Sequence, residues 1–194
     1  MKVLCIEGCH GVGKSSLLAN LQQNFVVLDE MFTDMPSYEY ISSQSLPMEF
    51  IWVANWFNRL LSVYENDYHP IVFADRSPYS AVYYSKTSPA IQESLKNLIR
   101  AMTEELAQKH IILETVCVTV KKEILWERIQ RRLEREPFRA KYNEGSYEWM
   151  EQTWDFFDKF QWDYVIDNSI EVQGELGDHL INKLDQIGAC VAVV

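Results

Sequence analysis

Short apolar runs alternate along the chain with longer stretches in which apolar residues recur every three or four positions. The runs predict strands buried in a parallel sheet, and the periodic stretches predict helices. The predicted strands are residues 2–7, 25–28, 70–74, 111–113, 116–120, 162–168 and 189–193, with 116–120 the best candidate for a central strand. The predicted helices are residues 16–21, 49–64, 78 onward, 90–109, 121–133, 146–160 and 171–187. This alternation predicts one α/β domain over residues 1–194.

The first predicted strand leads directly into a glycine-rich loop and a helix. Residues 8–15 read Gly-Cys-His-Gly-Val-Gly-Lys-Ser, the G-x-x-x-x-G-K-S spacing in its strand–loop–helix context. Such a loop turns backbone N–H groups inward, and the helix N-terminus adds its dipole. We therefore expect phosphate binding, with Lys14 on the outer phosphates and Ser15 ligating Mg²⁺. The remaining cradle residues are Gly8, Cys9, His10, Gly11, Val12, Gly13 and Ser16.

Two further strands also end in charged residues. Asp29 and Glu30 follow the second strand, and Asp75 and Arg76 follow the third. Ligands collect at the carboxyl ends of strands in open α/β sheets, so these side chains are candidates for chemistry. Glu30 is preferred to Asp29 as a general base, Asp75 is expected to reach the metal through water, and Arg76 is expected to clamp a phosphate.

Basic residues are concentrated near the end of one predicted helix. Five of the 18 lysines and arginines are Arg128, Arg131, Arg132, Arg135 and Arg139. The run ends in Arg-Glu-Pro-Phe-Arg, which predicts a mobile loop. Arginines on such a loop can stabilise the negative charge that develops on the phosphoryl group in the transition state of its transfer. We expect a lid at about residues 133–145, with Arg128 and Arg132, one helical turn apart, serving ATP and catalysis.

The predicted helix over residues 49–64 is the candidate substrate helix. Its apolar stripe consists of Phe50, Val53, Phe57, Leu60, Leu61 and Tyr64. An asparagine beside an aromatic ring can hold a flat base by hydrogen bonding and stacking. Asn55 and Asn58 are alternatives for this role, with Trp52 as the aromatic neighbour. Arg59 is expected to face away from the acceptor.

Composition narrows the class of protein. The chain is 47% hydrophobic, which suits a sizeable core, and its net charge of −10 argues against a nucleic-acid partner. The four cysteines lack paired metal spacing and fit a reducing compartment. The sequence predicts neither a signal peptide nor a membrane-spanning run, so we expect a cytoplasmic protein with a small-molecule substrate. A homodimer is compatible with the sequence.

Together these features resemble the deoxynucleoside kinase and thymidylate kinase family of P-loop kinases over nearly the whole chain. The most diagnostic segments are Asp75-Arg76-Ser77-Pro78-Tyr79-Ser80 and Arg128-x-x-x-Arg132. The resemblance implies a three-layer fold with a five-stranded parallel sheet flanked by helices and an arginine-rich lid. It also implies ATP and Mg²⁺ as cofactors, Tyr79 in the acceptor site, and Glu136 on the sugar 3′-hydroxyl.

Two branches of that family remain open. The loop and helix start at residues 13–18 and the Arg76-Ser77-x-Tyr79-Ser80 segment look like nucleoside kinases, which phosphorylate the 5′-hydroxyl. Asp75 with Ser80, and the strand at 162–168, look at least as much like thymidylate kinases, which convert dTMP to dTDP. The proline that usually follows the strand-end glutamate in both branches is Met31 here. Nucleoside kinase is the preferred interpretation.

Other P-loop classes compete with a kinase. A small GTPase reads guanine through Asn-Lys-x-Asp, and we expect a kinase instead. A motor-type ATPase has an apolar run ending in Asp-Glu, which residues 28–30 imitate on a very short segment. A non-catalytic nucleotide-binding module is the remaining alternative.

Overall fold

The computed structural model describes residues 1–31, 35–66, 69–169 and 182–184, and in it strands alternate with helices. The strands are β1 (Lys2–Glu7), β2 (Val26–Leu28), β3 (Ile71–Asp75), β4 (Ile112–Thr119) and β5 (Tyr164–Asp167). The helices are α1 (Lys14–Leu21), α2 (Leu46–Asn66), α3 (Ser80–Tyr84), α4 (Pro89–Ala107), α5 (Lys122–Arg135) and α6 (Tyr147–Lys159). A 3₁₀ helix covers Pro137–Tyr142, and residues 182–184 are helical.

The five strands form one sheet in the order β2-β3-β1-β4-β5. β2 pairs with β3 in parallel, and β4 pairs with β5 in parallel. Four consecutive residues of β1, from Val3 to Ile6, are fully buried, as expected for a strand covered on both faces. The predicted five-stranded parallel sheet flanked by helices is confirmed.

The strand order places β1, not the run over 116–120, in the middle of the sheet. Residues 111–113 and 116–120, expected as two runs, belong largely to the single strand β4, whose buried residues include Val116, Cys117 and Val118. The helix expected from Pro78 begins at Ser80, because Pro78 and Tyr79 form the preceding turn. The predicted strand at 189–193 and most of the helix at 171–187 lie outside the described residues.

The buried face of α2 differs from the predicted stripe. Phe50, Leu61 and Tyr64 are exposed by 51%, 42% and 40%. The residues that α2 buries are Met48, Glu49, Trp52, Val53, Trp56, Phe57 and Leu60. This set keeps helical spacing but lies on a face rotated towards the tryptophans. At the end of α6, the rings of Phe156, Phe157, Phe160 and Trp162 form one cluster, in which Phe157 is buried.

The chain folds as two compact units. The first unit contains Met1–Cys5 and Phe25–Glu114, and the second contains Ile6–Asn24 and Thr115–Val194. The acidic strand ends and α2 belong to the first unit, whereas the glycine-rich loop and the lid belong to the second. No described helix is long and apolar enough to cross a membrane.

Candidate functional site

The glycine-rich loop of the second unit is shaped by backbone conformations that side chains disfavour. Gly8 has a φ of 132°, and a Cβ there would lie 2.3 Å from the carbonyl oxygen of Val118. Gly13, with a φ of 107°, is the N-cap of α1. Both positions therefore require glycine, and the loop leads directly into the N-terminus of α1. This geometry fits a phosphate group.

Lys14 and Ser15 occupy the first turn of α1. The Lys14 side chain is buried, and its Nζ donates to the carbonyl oxygens of Gly8 at 2.9 Å and Cys9 at 3.1 Å. The Lys14 ammonium is therefore held against the backbone of the glycine-rich loop. Ser15 and Ser16 are exposed, so the Ser15 hydroxyl fits the predicted role of Mg²⁺ ligand. Among the described residues, no three His, Cys, Asp or Glu side chains form a metal-binding group.

Asn168, at the end of β5, connects the loop to an arginine. Its Nδ2 donates to the carbonyl oxygen of Val12 at 2.8 Å, and its own carbonyl oxygen accepts from Arg128 Nη2 at 3.0 Å. The Asn168 side chain is buried, with 1% exposure. Arg128, in α5 as expected, is thus held beside the residue that anchors the loop. Sequence analysis did not identify Asn168, because an asparagine at the end of a strand gives no indication that its side chain bonds to residue 12.

The predicted mobile lid is a closed network of charges. Arg139 bonds to Glu136, and its Nη1 lies 3.2 Å from Glu144 Oε1. Arg132 lies 3.6 Å from Glu136 and 3.8 Å from Glu144. The hydrogen bond from Arg139 lowers the pKa of Glu136. The segment expected as a loop contains a 3₁₀ helix. Arg132 of α5 and Arg139 of the 3₁₀ helix both face Glu136 and Glu144, so these acids compensate the charges that sequence analysis counted alone.

In the first unit, strand register brings Glu30 and Arg76 together. β2 pairs Val26 with Val72 and Leu28 with Ala74, an offset of 46 residues. Glu30 and Arg76, also 46 residues apart, follow those strands and form an ion pair with Nε to Oε1 at 2.6 Å. The sequence predicted both residues at strand ends, and the register joins them.

Arg76 is the most constrained residue of this pair. Its φ is 71°, an uncommon left-handed conformation for a bulky residue. Its side chain is 7% exposed, whereas that of Glu30 is 37% exposed. Arg76 Nη1 lies 3.5 Å from Ser80 Oγ, and its guanidinium lies 5.3 Å from the ring centre of Tyr84. A buried arginine thus holds a carboxylate that is partly exposed to solvent.

Helix α2 supports the pair from its buried face. The Trp52 indole donates to the carbonyl oxygen of Glu30 at 2.8 Å, and the Trp56 indole donates to that of Arg76 at 3.1 Å. Glu49, on the same face, is 6% exposed. Burial raises its pKa from 4.5 to about 8, with Arg76 lowering it and Glu30 raising it further. Sequence analysis missed Glu49, because a glutamate at a helix start ordinarily faces water.

The remaining residues expected in the acceptor and metal sites lie on α2, before α3 and at the end of β3. Asn55 and Asn58 are exposed on α2, and Asn55 Nδ2 lies 3.9 Å from Met35 Sδ. Tyr79 and Asp75 are half-buried, Tyr79 before α3 and Asp75 at the end of β3. Their roles as base reader, acceptor contact and metal partner remain predictions.

Arg59 is paired with the acid next to Glu30. Its Nη1 donates to Asp29 Oδ1 and to the Asp29 carbonyl oxygen, each at 2.9 Å. The Arg59 charge is therefore matched by Asp29. The expectation that Arg59 faces away from the acceptor stays a prediction.

Sequence analysis also passed over one match to the guanine-reading pattern. Residues 182–185 read Asn-Lys-Leu-Asp, so the pattern does not exclude a small GTPase. Residues 182–184 are helical, Leu184 is buried, and Lys183 donates to the Asp167 carbonyl oxygen. Asp185 lies outside the described residues. GTP therefore belongs among the nucleotides to be assayed.

Comparisons with known proteins identify the family and the fold. The family described as "AAA domain" matches residues 3–168. The chain is similar in structure to a shikimate kinase from Bacteroides thetaiotaomicron, with a TM-score of 0.55 and 14% identity over 96% of this chain and 98% of the other. No curated protein matches the sequence. The chain therefore has an α/β fold like that of this shikimate kinase, with a five-stranded parallel sheet flanked by helices.

Proposed function

We propose that this chain, which belongs to the AAA domain family, is a kinase that transfers a phosphoryl group from ATP to the 5′-hydroxyl of a deoxynucleoside. The observation that carries the proposal is the Glu30–Arg76 ion pair, 2.6 Å long, between two strand-end residues. The ion pair fixes the direction of the Glu30 carboxylate, the candidate proton acceptor, and holds beside it a guanidinium of the kind that binds phosphoryl oxygens.

On the donor side, we assign ATP to the glycine-rich loop. The positive φ values of Gly8 and Gly13 and the ammonium of Lys14 favour a phosphate chain there. Ser15 would ligate Mg²⁺, and Arg128 would neutralise charge from its position on the Asn168 carbonyl. When bound, ATP with Mg²⁺ supplies the phosphoryl group and the metal's positive charge.

On the acceptor side, we assign the proton transfer to Glu30. As the acceptor oxygen bonds to the γ-phosphorus and the bond to the ADP oxygen breaks, the hydroxyl proton passes to Glu30. Arg76 holds the carboxylate in position before the transfer. Asn55, Asn58, Tyr79 and Glu136 remain candidates for contacts with base and sugar.

Asp29 favours the nucleoside over the monophosphate as acceptor. A monophosphate brings about two negative charges at neutral pH and needs cations of its own. Arg59, the first cation after residue 28, is engaged by Asp29 at 2.9 Å. A thymidylate-kinase-like reaction, dTMP to dTDP, is the second candidate, and a non-catalytic nucleotide-binding module is the third.

An acceptor panel tests the proposal. The purified protein is given ATP or GTP with Mg²⁺ and, separately, each deoxynucleoside, ribonucleoside, 5′-monophosphate and shikimate, the substrate in the name of the similar structure. We expect ADP or GDP to be released only with nucleosides. We also expect mass spectrometry to show the nucleoside 5′-monophosphate as the product. Monophosphates as preferred acceptors would favour the second candidate. If ADP or GDP is released at the same rate with and without every acceptor, the proposal that the protein is a kinase is wrong.

The variant Glu30→Gln tests the proton acceptor. Gln keeps the shape but not the base, so we expect kcat to fall by about 10²- to 10⁴-fold with ATP affinity retained. Glu39→Gln, at an exposed position of the same unit, is the matched control and keeps its activity. An unchanged kcat in Glu30→Gln would remove Glu30 from the chemistry.

A further inference from the structure

Two tryptophans on the buried face of α2 bond to the main chain of the Glu30–Arg76 pair. Trp52 and Trp56 are one helical turn apart and are exposed by 5% and 0%. Each uses its only hydrogen-bond donor, the indole N–H, on a carbonyl oxygen of that pair, at 2.8 Å and 3.1 Å. One rigid helix thus holds both ends of an ion pair whose residues are 46 positions apart.

The bond from Trp56 acts on a backbone position that needs support. Arg76 has a φ of 71°, and a bulky residue in this conformation stores strain unless its surroundings fix it. The carbonyl of Arg76 accepts from a fully buried ring, which packs edge-on against Phe57 with 5.2 Å between ring centres. If the peptide relaxed, the direction of the Arg76 side chain would change with it.

We propose that Trp56 and Trp52 are positioning residues, which hold the Arg76 and Glu30 main chains so that the guanidinium meets the carboxylate in reactive alignment. The catalytic meaning of this inference rests on the proposed function, in which Glu30 and Arg76 do the chemistry. The structural part of the inference, that the two tryptophan hydrogen bonds (the tether) hold Arg76 and Glu30, does not rest on the proposed function, because the effect on Arg76 is measurable without any substrate.

Glu49 provides a reporter for the position of Arg76. Its pKa of about 8 is set by burial, lowered by the Arg76 charge and raised by the Glu30 charge. If Arg76 moves away, the ionised form of Glu49 loses a favourable interaction and its pKa rises. If the core merely loosens and admits water, the same pKa falls towards 4.5. The two outcomes have opposite signs.

The variant Trp56→Phe removes the donor and keeps an aromatic ring. Its control is Trp162→Phe, which removes an equivalent bond, 2.7 Å long, to the Phe157 carbonyl oxygen. The Glu49 carboxyl carbon is titrated by ¹³C NMR in both variants and in the wild type. We expect the Glu49 pKa to rise in Trp56→Phe and to stay unchanged in Trp162→Phe. An unchanged or lowered value in Trp56→Phe overturns the proposal.

Kinetics then test the catalytic meaning. A small misplacement of reacting groups costs up to about 10²-fold, so we expect kcat of Trp56→Phe to fall by about 10- to 10²-fold while the KM for ATP is unchanged. If the wild type phosphorylates no acceptor, the proposed function fails while the Glu49 titration still decides the tether. A raised Glu49 pKa with an unchanged kcat overturns the positioning role.

A measurement on the wild type covers the case in which Trp56→Phe does not fold. Hydrogen exchange of the indole N–H groups is followed by ¹⁵N NMR. We expect Trp52 and Trp56 to exchange more slowly than Trp126, whose indole makes no hydrogen bond within the described part of the chain. Equal exchange rates would show that the tethers are absent and would overturn the proposal.

Discussion

Glu49 makes the stability of the protein depend on pH in a direction unusual for a carboxyl group. Its folded-state pKa of about 8 lies above the ordinary 4.5, so between these values the folded chain keeps a proton that the unfolded chain releases. Stability therefore falls as pH rises through this window, is unaffected below it, and levels off above pH 8.

The magnitude follows from the shift. Each pKa unit corresponds to about 1.4 kcal/mol, so the free-energy cost of Glu49 is below about 1 kcal/mol at pH 5, about 3 at pH 7 and about 4 at pH 8. The variant Glu49→Gln removes this cost because the amide does not titrate. Any constant penalty of burying the amide cancels when the two pH values are compared.

Urea unfolding followed by tryptophan fluorescence measures the effect. From pH 5 to pH 8, Glu49→Gln is expected to gain about 3 kcal/mol relative to the wild type. Glu93→Gln, at an exposed position on α4, is expected to follow the wild type within about 0.5 kcal/mol. If the gap between Glu49→Gln and the wild type is the same at both pH values, Glu49 does not carry the raised pKa.

Two further variants test the phosphate loop and the nature of the acceptor. Lys14→Ala is expected to keep its circular dichroism spectrum and lose about 10²- to 10³-fold in kcat, and near-normal turnover in a folded variant would refute the loop assignment. Arg59→Ala removes a pair whose partner Asp29 is 76% exposed, so we expect a stability loss below about 1 kcal/mol and a nucleoside KM within about twofold of the wild type. A steep rise in the KM of a monophosphate would favour the thymidylate-kinase-like alternative.

Local sequence patterns predicted the parts of this molecule whose causes are local. The loop at residues 8–15 is defined by its glycines and lysine, and the strands by their apolar runs. Glu30 and Arg76 were identified because each lies within two residues of the end of a strand. Their ion pair was not predictable, since it depends on the register of β2 against β3.

The face of α2 and the state of the lid depended on partners distant in sequence. Phe50 and Leu61 are as apolar as the residues that α2 buries, so periodicity alone could not choose between two overlapping faces. In the structure α2 buries the face that carries Trp52 and Trp56, whose N–H groups donate to the carbonyl oxygens of Glu30 and Arg76. In the lid, counting arginines predicted a free positive segment, but Glu144, five residues beyond Arg139, helps to neutralise it.

The bond between Asn168 and Val12 has a consequence for the order in which the protein is made. Its two residues are 156 positions apart. At the usual speed of synthesis, the growing chain carries its glycine-rich loop for roughly 8 to 30 s before the side chain that anchors that loop exists. Closing so long a segment is also slow in refolding. Nascent chains stalled before residue 168 should therefore fail to retain ATP, even with the entire glycine-rich segment outside the ribosome.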